Sequence, residues 1–290
     1  MQENQFRKAI WYILPALLVM LVFTYYPLAQ AVVQSFNRLR TPDVYEFSFK
    51  TYEWLFNDRD FQTAFRNTVM YTAVVTPVSV AISIFIASLL VSIKKLRGLF
   101  QTIFFVPYVT STIAVAFTWA YIFNTNNGLL NLLLKNLFDM TAIPWLTSPN
   151  YANYTVMIFG IWRSLAFNIL ILTTAILSID PQYYKAAQID GATPRTTFFK
   201  ITMPLISPTV AYLITIGMIN SFKVFNEVYA LIGNNSRAVK AQTLVVYIFD
   251  QIWVARDYSL AAAAAVILLL FVLVLTAFSR WVTGKTNFYG

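Results

Sequence analysis

Six long apolar runs separated by polar segments dominate this chain: about Trp11–Val32, Val69–Ile93, Ile103–Phe123, Thr155–Leu177, Leu205–Ile232 and Leu260–Val282. Each is long enough to cross a bilayer core as a helix, which takes roughly 18–20 apolar residues. The pattern predicts an all-α membrane protein with six transmembrane helices. It divides into a leader (1–10), a first transmembrane helix (11–32), an external loop (33–68), a core of five further spans (69–282) and a tail (283–290). No internal period is visible, so neither a solenoid nor duplicated halves are expected.

One polar interruption inside the core is 178–204, between two long apolar runs, and its chemistry is that of a short helix. Asp180 is a good N-cap, and Pro181 suits the first helical position, where its missing N–H costs nothing. Pro181 to Ile189 can make about two turns, and Gly191 can take the left-handed conformation that ends them. Thr193-Pro194 then turns the chain into Arg195–Met203. On this chemistry alone, a plain connecting loop with an incidental helix explains the segment equally well.

Composition agrees with the membrane class: 58% of residues are hydrophobic, 17% aromatic and only 11% charged. Charge then supplies orientation. With the N-terminus, Lys94–Gly98, Ser178–Pro204 and the C-terminus from Arg280 onwards placed inside, those short segments hold ten Lys/Arg against three acids. The much longer opposite loops hold nine Lys/Arg with eight acids. Lysine and arginine density near helix ends puts both termini in the cytoplasm. The net charge of +9 therefore reads as topology, and no nucleic-acid partner is expected. A cleaved signal peptide is the competing reading of the first run, because Ala29-Gln30-Ala31 mimics a cleavage site. The run is longer than a usual signal core, and Tyr25-Tyr26 and Pro27 sit where an interfacial belt would lie, which favours a retained span. The external stretch Asn124–Tyr154 is too polar to cross; it partly re-enters or lies on the outer surface. In the last run, the small residues Ala261–Ala265 read as a site of close helix packing.

The chemistry that the chain can carry is limited. It has no cysteine and no histidine, which excludes disulfides, Cys or His metal sites and His-based acid–base catalysis. It has no HExxH, no Gly-rich loop ending in GK[ST] and no nucleophile–base pair. The expectation is a chain that is not an enzyme and holds no metal or cofactor.

Apart from Arg280 at the very end of the last span, three ionisable residues fall inside predicted spans: Arg163, Lys223 and Glu227. Each would cost on the order of 2.5–3.5 kcal/mol facing lipid, so each is expected to face a partner or a watery path. Lys223 and Glu227 are four apart and can pair on one helix. On a continuous helix, Asn220, Lys223 and Glu227 share an arc of about 60°. With Asn226, they are the candidates for a substrate path. The alternative is a self-neutralised pair packed against a companion subunit, and both readings stay open. Arg163 reads as structural, bonding a carbonyl at a subunit contact.

Lys185-Ala186-Ala187, then Gly191, then Ile201-Thr202-Met203-Pro204 resemble the cytoplasmic signature of ABC-importer permeases. That pattern runs Glu-Ala-Ala, three residues, Gly, nine residues, Ile-x-Leu-Pro. The pieces AQIDGA (Ala187–Ala192) and FFKITMP (Phe198–Pro204) resemble its carbohydrate-uptake version, the maltose, glycerol-3-phosphate and multiple-sugar permeases. Ala64–Thr68, Pro107, Trp119, Phe123, Gly128, Asn131 and Trp145-Leu146-Thr147 extend the resemblance over nearly the whole chain. Lys185 departs from the pattern, standing where the family usually has Glu.

The resemblance implies the type I importer permease fold, with a five-helix core and a first helix that wraps a neighbour. It implies that the helix carrying Tyr184, Lys185, Ala186, Ala187, Asp190 and Gly191 docks into an ATP-hydrolysing subunit. Its implied partners are a second homologous permease, two ATP-binding subunits that hold ATP and Mg, an external solute-binding protein and a sugar-like solute, in a bacterial cytoplasmic membrane. The rival from another class is a secondary transporter or channel driven by an ion gradient. It would need an ionisable relay near the midplane, and it leaves the Lys185–Pro204 pattern unexplained.

Overall fold

The computed structural model of the chain describes residues 2–39, 44–93 and 95–284. Pro42 of the expected external loop, Lys94 of the polar segment after the second run, and residues 285–290 of the expected tail lie outside the described residues. Among the described residues the chain is helical, with one isolated bridge, Asn37–Phe47. Five helices are long and apolar enough to cross a membrane, and a bent pair makes a sixth crossing if it counts as one span.

The chain divides into two compact units, Met1–Gln62 with Tyr247–Leu270, and Thr63–Val246 with Phe271–Gly290. In the first unit, α1 (Gln2–Met20) passes through a π-helical turn at Leu21–Tyr25 into α2 (Tyr26–Ser35). The apolar stretch of this span buries none of its residues inside the chain. After α3 (Lys50–Asn57), Asp58 is extended and accepts a 2.7 Å hydrogen bond from the Tyr247 hydroxyl. Burial, and then the Asp58 carboxylate, push the Tyr247 pKa up, so the phenol stays a donor. Ala261, Ala263 and Ala264 are buried, as expected of small residues at a close helix contact.

The second unit carries the functional architecture. The long helix α4 (Arg59–Ser92) and α8 (Ala152–Leu177) run parallel. Asn153 donates to Asn67 near their starts (3.2 Å) and Asn168 to Ser79 midway (3.4 Å). Asn67 also donates to the carbonyls of Lys240 and Gln242. Between them come α5 (Arg97–Val109), α6 (Thr112–Ile122) and α7 (Leu129–Phe138). Asn131 of α7 is buried and holds the Asn124–Tyr154 stretch together, bonding the Thr125 and Ile143 carbonyls, the Ile143 N–H and the Trp145 indole. Past α8 lie α9 (Pro181–Ile189), α10 (Pro194–Thr197), a π-helical turn at Phe198–Thr202, α11 (Met203–Phe222), α12 (Asn226–Ile232) and α13 (Leu244–Asp250). The final helix, α14 (Tyr258–Gly284), sets Phe271 against Phe65 and Phe222, and Ser279 against Thr215.

Two of the six runs depart from the expected continuous spans. The run at Ile103–Phe123 is two helices that meet at 98°. Pro107 cannot donate within α5, and Thr110 and Ser111 are extended, so α5 stops and α6 starts afresh. The run at Leu205–Ile232 ends its helix at Phe222; Val224 and Phe225 interrupt it before α12. A distant residue holds this break, because the Thr243 hydroxyl donates to the Val224 carbonyl at 2.9 Å. The arc assumed for Asn220, Lys223 and Glu227 therefore does not exist, and no ion pair joins Lys223 to Glu227 among the described residues.

Candidate functional site

Two places in the second unit concentrate polar chemistry. The first is the turn around α9. Asp180 accepts from the Gln182 N–H at 2.8 Å, capping the helix, and Pro181 occupies its first position. At the far end Gly191 has φ +70, Ala192 N–H donates to Ala187 O (2.9 Å), and Gly191 N–H donates to Gln188 O (3.1 Å). This pair of bonds is the Schellman closure, which depends on a residue that tolerates the left-handed region. Ala187 is buried against the body, whereas Lys185, Ala186, Asp190 and Gly191 are exposed. Tyr184 is half-buried, and its hydroxyl lies 3.1 Å from that of Thr202. This contact ties α9 to the π-helical turn that leads into α11. Behind it is a cleft of about 440 Å³, lined by Ser88 and Ser92 of α4, Ile176 of α8, and Tyr184, Gln188 and Thr202. Sequence reasoning passed over Ile189, which is 87% exposed at the end of α9. An apolar residue bounding an otherwise polar helix was the available signal.

The second place is an open-sided cavity of about 330 Å³ lined by residues of α4, α5, α6, α8, α11 and α12. It lies between two apolar layers. One contains Tyr71, Val75, Val156, Phe159 and Val228, and the other Val80, Leu172, Ile206 and Leu213. Polar side chains enter a wall that is otherwise apolar: Thr76, Ser79, Thr112, Ser164, Asn168, Asn220 and Ser221 take part, with Arg163 and Glu227. The Thr76 and Ser221 hydroxyls lie 3.1 Å apart and join α4 to α11. Two glycines let the helices close around this space. A Cβ on Gly160 would stand 2.0 Å from the Tyr71 hydroxyl, and one on Gly217 would stand 2.8 Å from the Thr76 methyl.

The cavity brings together only part of the predicted path. Asn220 and Glu227 line it, although the break after Phe222 places them on different helices. Lys223 and Asn226 are exposed and are not part of its wall. Arg163 does bond a carbonyl, that of Pro107 at 3.0 Å, but the carbonyl belongs to its own chain, and the residue lines the cavity as well. The bond fastens α8 to the end of α5, next to the bend. Sequence reasoning missed Asn168, Ser164, Thr76 and Ser79, because isolated hydroxyls and amides in apolar runs look like ordinary helix content. No group of three or more acidic residues that could hold a metal occurs among the described residues.

Comparison with known proteins gives a consistent picture. A family model described as a binding-protein-dependent transport system inner membrane component matches residues 79–287. The probable ABC transporter permease protein MG188 homolog of Mycoplasma pneumoniae is 37% identical over 285 residues, covering 94% of this chain and 83% of the relative. The arabinooligosaccharides transport system permease protein AraP of Bacillus subtilis is 32% identical, covering 93% and 87% of the two chains. The sn-glycerol-3-phosphate transport system permease protein UgpA of Escherichia coli is 28% identical, covering 94% and 93%. Among solved structures, a bacterial ABC transporter involved in the import of the acidic polysaccharide alginate matches with a TM-score of 0.87 at 24% identity. That match covers 99% of this chain and 100% of the other. A bacterial alginate ABC transporter in complex with an alginate pentasaccharide-bound periplasmic protein matches equally well, with a TM-score of 0.87 at 23% identity. The fold is that of an ABC importer permease.

Proposed function

The chain belongs to the family of binding-protein-dependent transport system inner membrane components, and on that premise we propose that it is one transmembrane subunit of an ATP-driven importer for a sugar, oligosaccharide or polyol. It is a multi-pass membrane protein, and its homologues are permease subunits rather than enzymes. The names of its relatives support a carbohydrate-like solute, since arabinooligosaccharides are the cargo of AraP. The ion-driven carrier or channel has no observation in its favour.

The observation that carries the reading is the capped, protruding helix α9, closed by Gly191 and tied through Tyr184 to the base of α11. In this proposal α9 docks on an ATP-binding subunit through Lys185, Ala186, Asp190 and the apolar knob Ile189. Two such subunits hold ATP and Mg, and a second homologous permease completes the membrane assembly. An external binding protein delivers the solute. Both termini and the α9 turn are cytoplasmic, in a bacterial inner membrane, as the positive-charge bias supports. Closure of the ATP-binding subunits displaces α9, and the tie to Thr202 passes that movement to α11. The cavity is thereby exposed alternately to the two sides.

Gly191→Val tests the docking helix. A Cβ there meets nothing within 4 Å, so the substitution acts through the backbone: at φ +70 it forces a β-branched residue into a region costing about 1–3 kcal/mol. The expected outcome is normal insertion with uptake lost and ATP hydrolysis no longer stimulated by loaded binding protein. Wild-type uptake and stimulation in that variant would remove the docking assignment. A Walker-lysine mutant of the co-purifying ATPase is expected to stop uptake in the parent system, whereas a protonophore is not.

A further inference from the structure

The cavity wall is balanced in charge. Among its described lining residues, Arg163 is the one cationic side chain and Glu227 the one carboxylate, and they do not meet as an ion pair. Arg163 commits one N–H to the Pro107 carbonyl, and a guanidinium has five. Asn220, exposed at the end of α11, brings a carboxamide with both donors and acceptors, and Asn168 brings another from α8. The stacked rings of Tyr108 and Phe167, 5.4 Å apart, form an apolar face on the same wall. A wall that is mostly apolar with a few convergent polar groups is the usual make-up of a small-molecule site, and 330 Å³ lies at the small end of such sites.

This combination discriminates by charge. A hydroxyl both donates and accepts, so a polyol can donate to Glu227 while accepting from Arg163 and the two carboxamides. A phosphate or carboxylate gains Arg163 but brings a second negative charge towards Glu227, which is half-buried, so that water screens the repulsion of the like charges only in part. The relatives leave the matter open, because the cargo in their names includes neutral arabinooligosaccharides as well as sn-glycerol 3-phosphate.

We propose that this cavity is a solute site held by this chain itself, and that it selects an uncharged sugar or short oligosaccharide over a phosphorylated or uronic-acid one. The proposal rests on the importer reading above. The chain has no cysteine, so one introduced at Asn220 in the assembled importer is its single thiol. The experiment follows the labelling rate of Asn220→Cys by a membrane-permeant maleimide. The neutral probes are arabinotriose, maltotriose and glycerol; the anionic probes are sn-glycerol 3-phosphate and an alginate trisaccharide. We expect at least one neutral probe to slow labelling, by about tenfold at ten times its half-protecting concentration, and the anionic probes to have no effect. Adding Glu227→Gln leaves the wall net cationic, and an anionic probe is then expected to protect. If Asn220→Cys does not assemble, Ser164→Cys on α8 reports on the same space. Protection of the parent wall by an anionic probe, or by no probe at all, overturns the proposal. Stimulation of ATP hydrolysis by loaded binding protein is measured in the same preparation. If stimulation persists while protection follows the wrong pattern, the cavity assignment alone fails. If stimulation is absent, the importer reading fails.

Discussion

The α9 turn and the polar cavity belong to the same unit but are built by different means. Nearly everything that shapes the turn lies within about a dozen consecutive residues: an Asp cap, a Pro at the first position, and a Gly in the left-handed closure. The cavity draws residues from six helices, and its polar ties, Thr76–Ser221 and Arg163–Pro107, cross wide gaps in sequence. A locally coded element tolerates change around it and fails one step at a time. A cavity assembled from distant parts depends on how closely its helices approach. In a bilayer, where apolar surface loses nothing by facing lipid, that approach is set by small residues and interhelical hydrogen bonds.

Glycine substitutions test this difference most severely. Gly160→Leu puts its first side-chain atom into the buried Tyr71 ring, and overpacking of this kind costs about 1–3 kcal/mol or more. We expect most assembled protein to be lost, measured as monodisperse yield after detergent extraction, while Gly191→Val is extracted like the parent. Equal losses at the two sites would erase the distinction.

A smaller effect is expected at the cavity wall. Asn220 is exposed, so Asn220→Ala removes a hydrogen bond to solute without disturbing the packing. One such bond is worth roughly 0.5–1.5 kcal/mol, which corresponds to about a two- to tenfold rise in apparent half-saturation. Uptake with saturating binding protein measures it; unchanged kinetics would move the solute contact away from α11.

The cap is a comparable test of the turn. Asp180→Ala removes an N-cap bond worth about 1 kcal/mol. Faster amide exchange is expected across Pro181–Ile189, with exchange in α8 and α11 unchanged; spread of the effect into those helices would mean that the turn is less autonomous than its bonding shows. The smallest effect is expected for Tyr184→Phe, which removes only the hydroxyl shared with Thr202. Extraction should be unchanged, with a modest drop in the stimulation of ATP hydrolysis by binding protein. No change in stimulation would remove the tie from the route between α9 and α11.

What the sequence determined by itself was whatever depends on neighbours along the chain. Apolar runs of bilayer length set the number of crossings, because a span is recognised by composition alone. The α9 helix was legible for a related reason: a cap, a proline and a left-handed glycine act within a few residues of themselves. The two broken runs were not legible as such. Pro107 hinted at the first, but the second, after Phe222, depends on Thr243 supplying a hydroxyl to the Val224 carbonyl from a different segment. Because of that break, the stripe drawn from Asn220 through Lys223 to Glu227 did not survive. Asn220 and Glu227 now face one cavity from two helices, and Lys223 lies outside it. Arg163 enters the same wall from α8. Only the tertiary structure could decide this, because a helix break held by a remote hydroxyl resets the direction of every side chain beyond it, and no periodicity within the run records where that hydroxyl will stand.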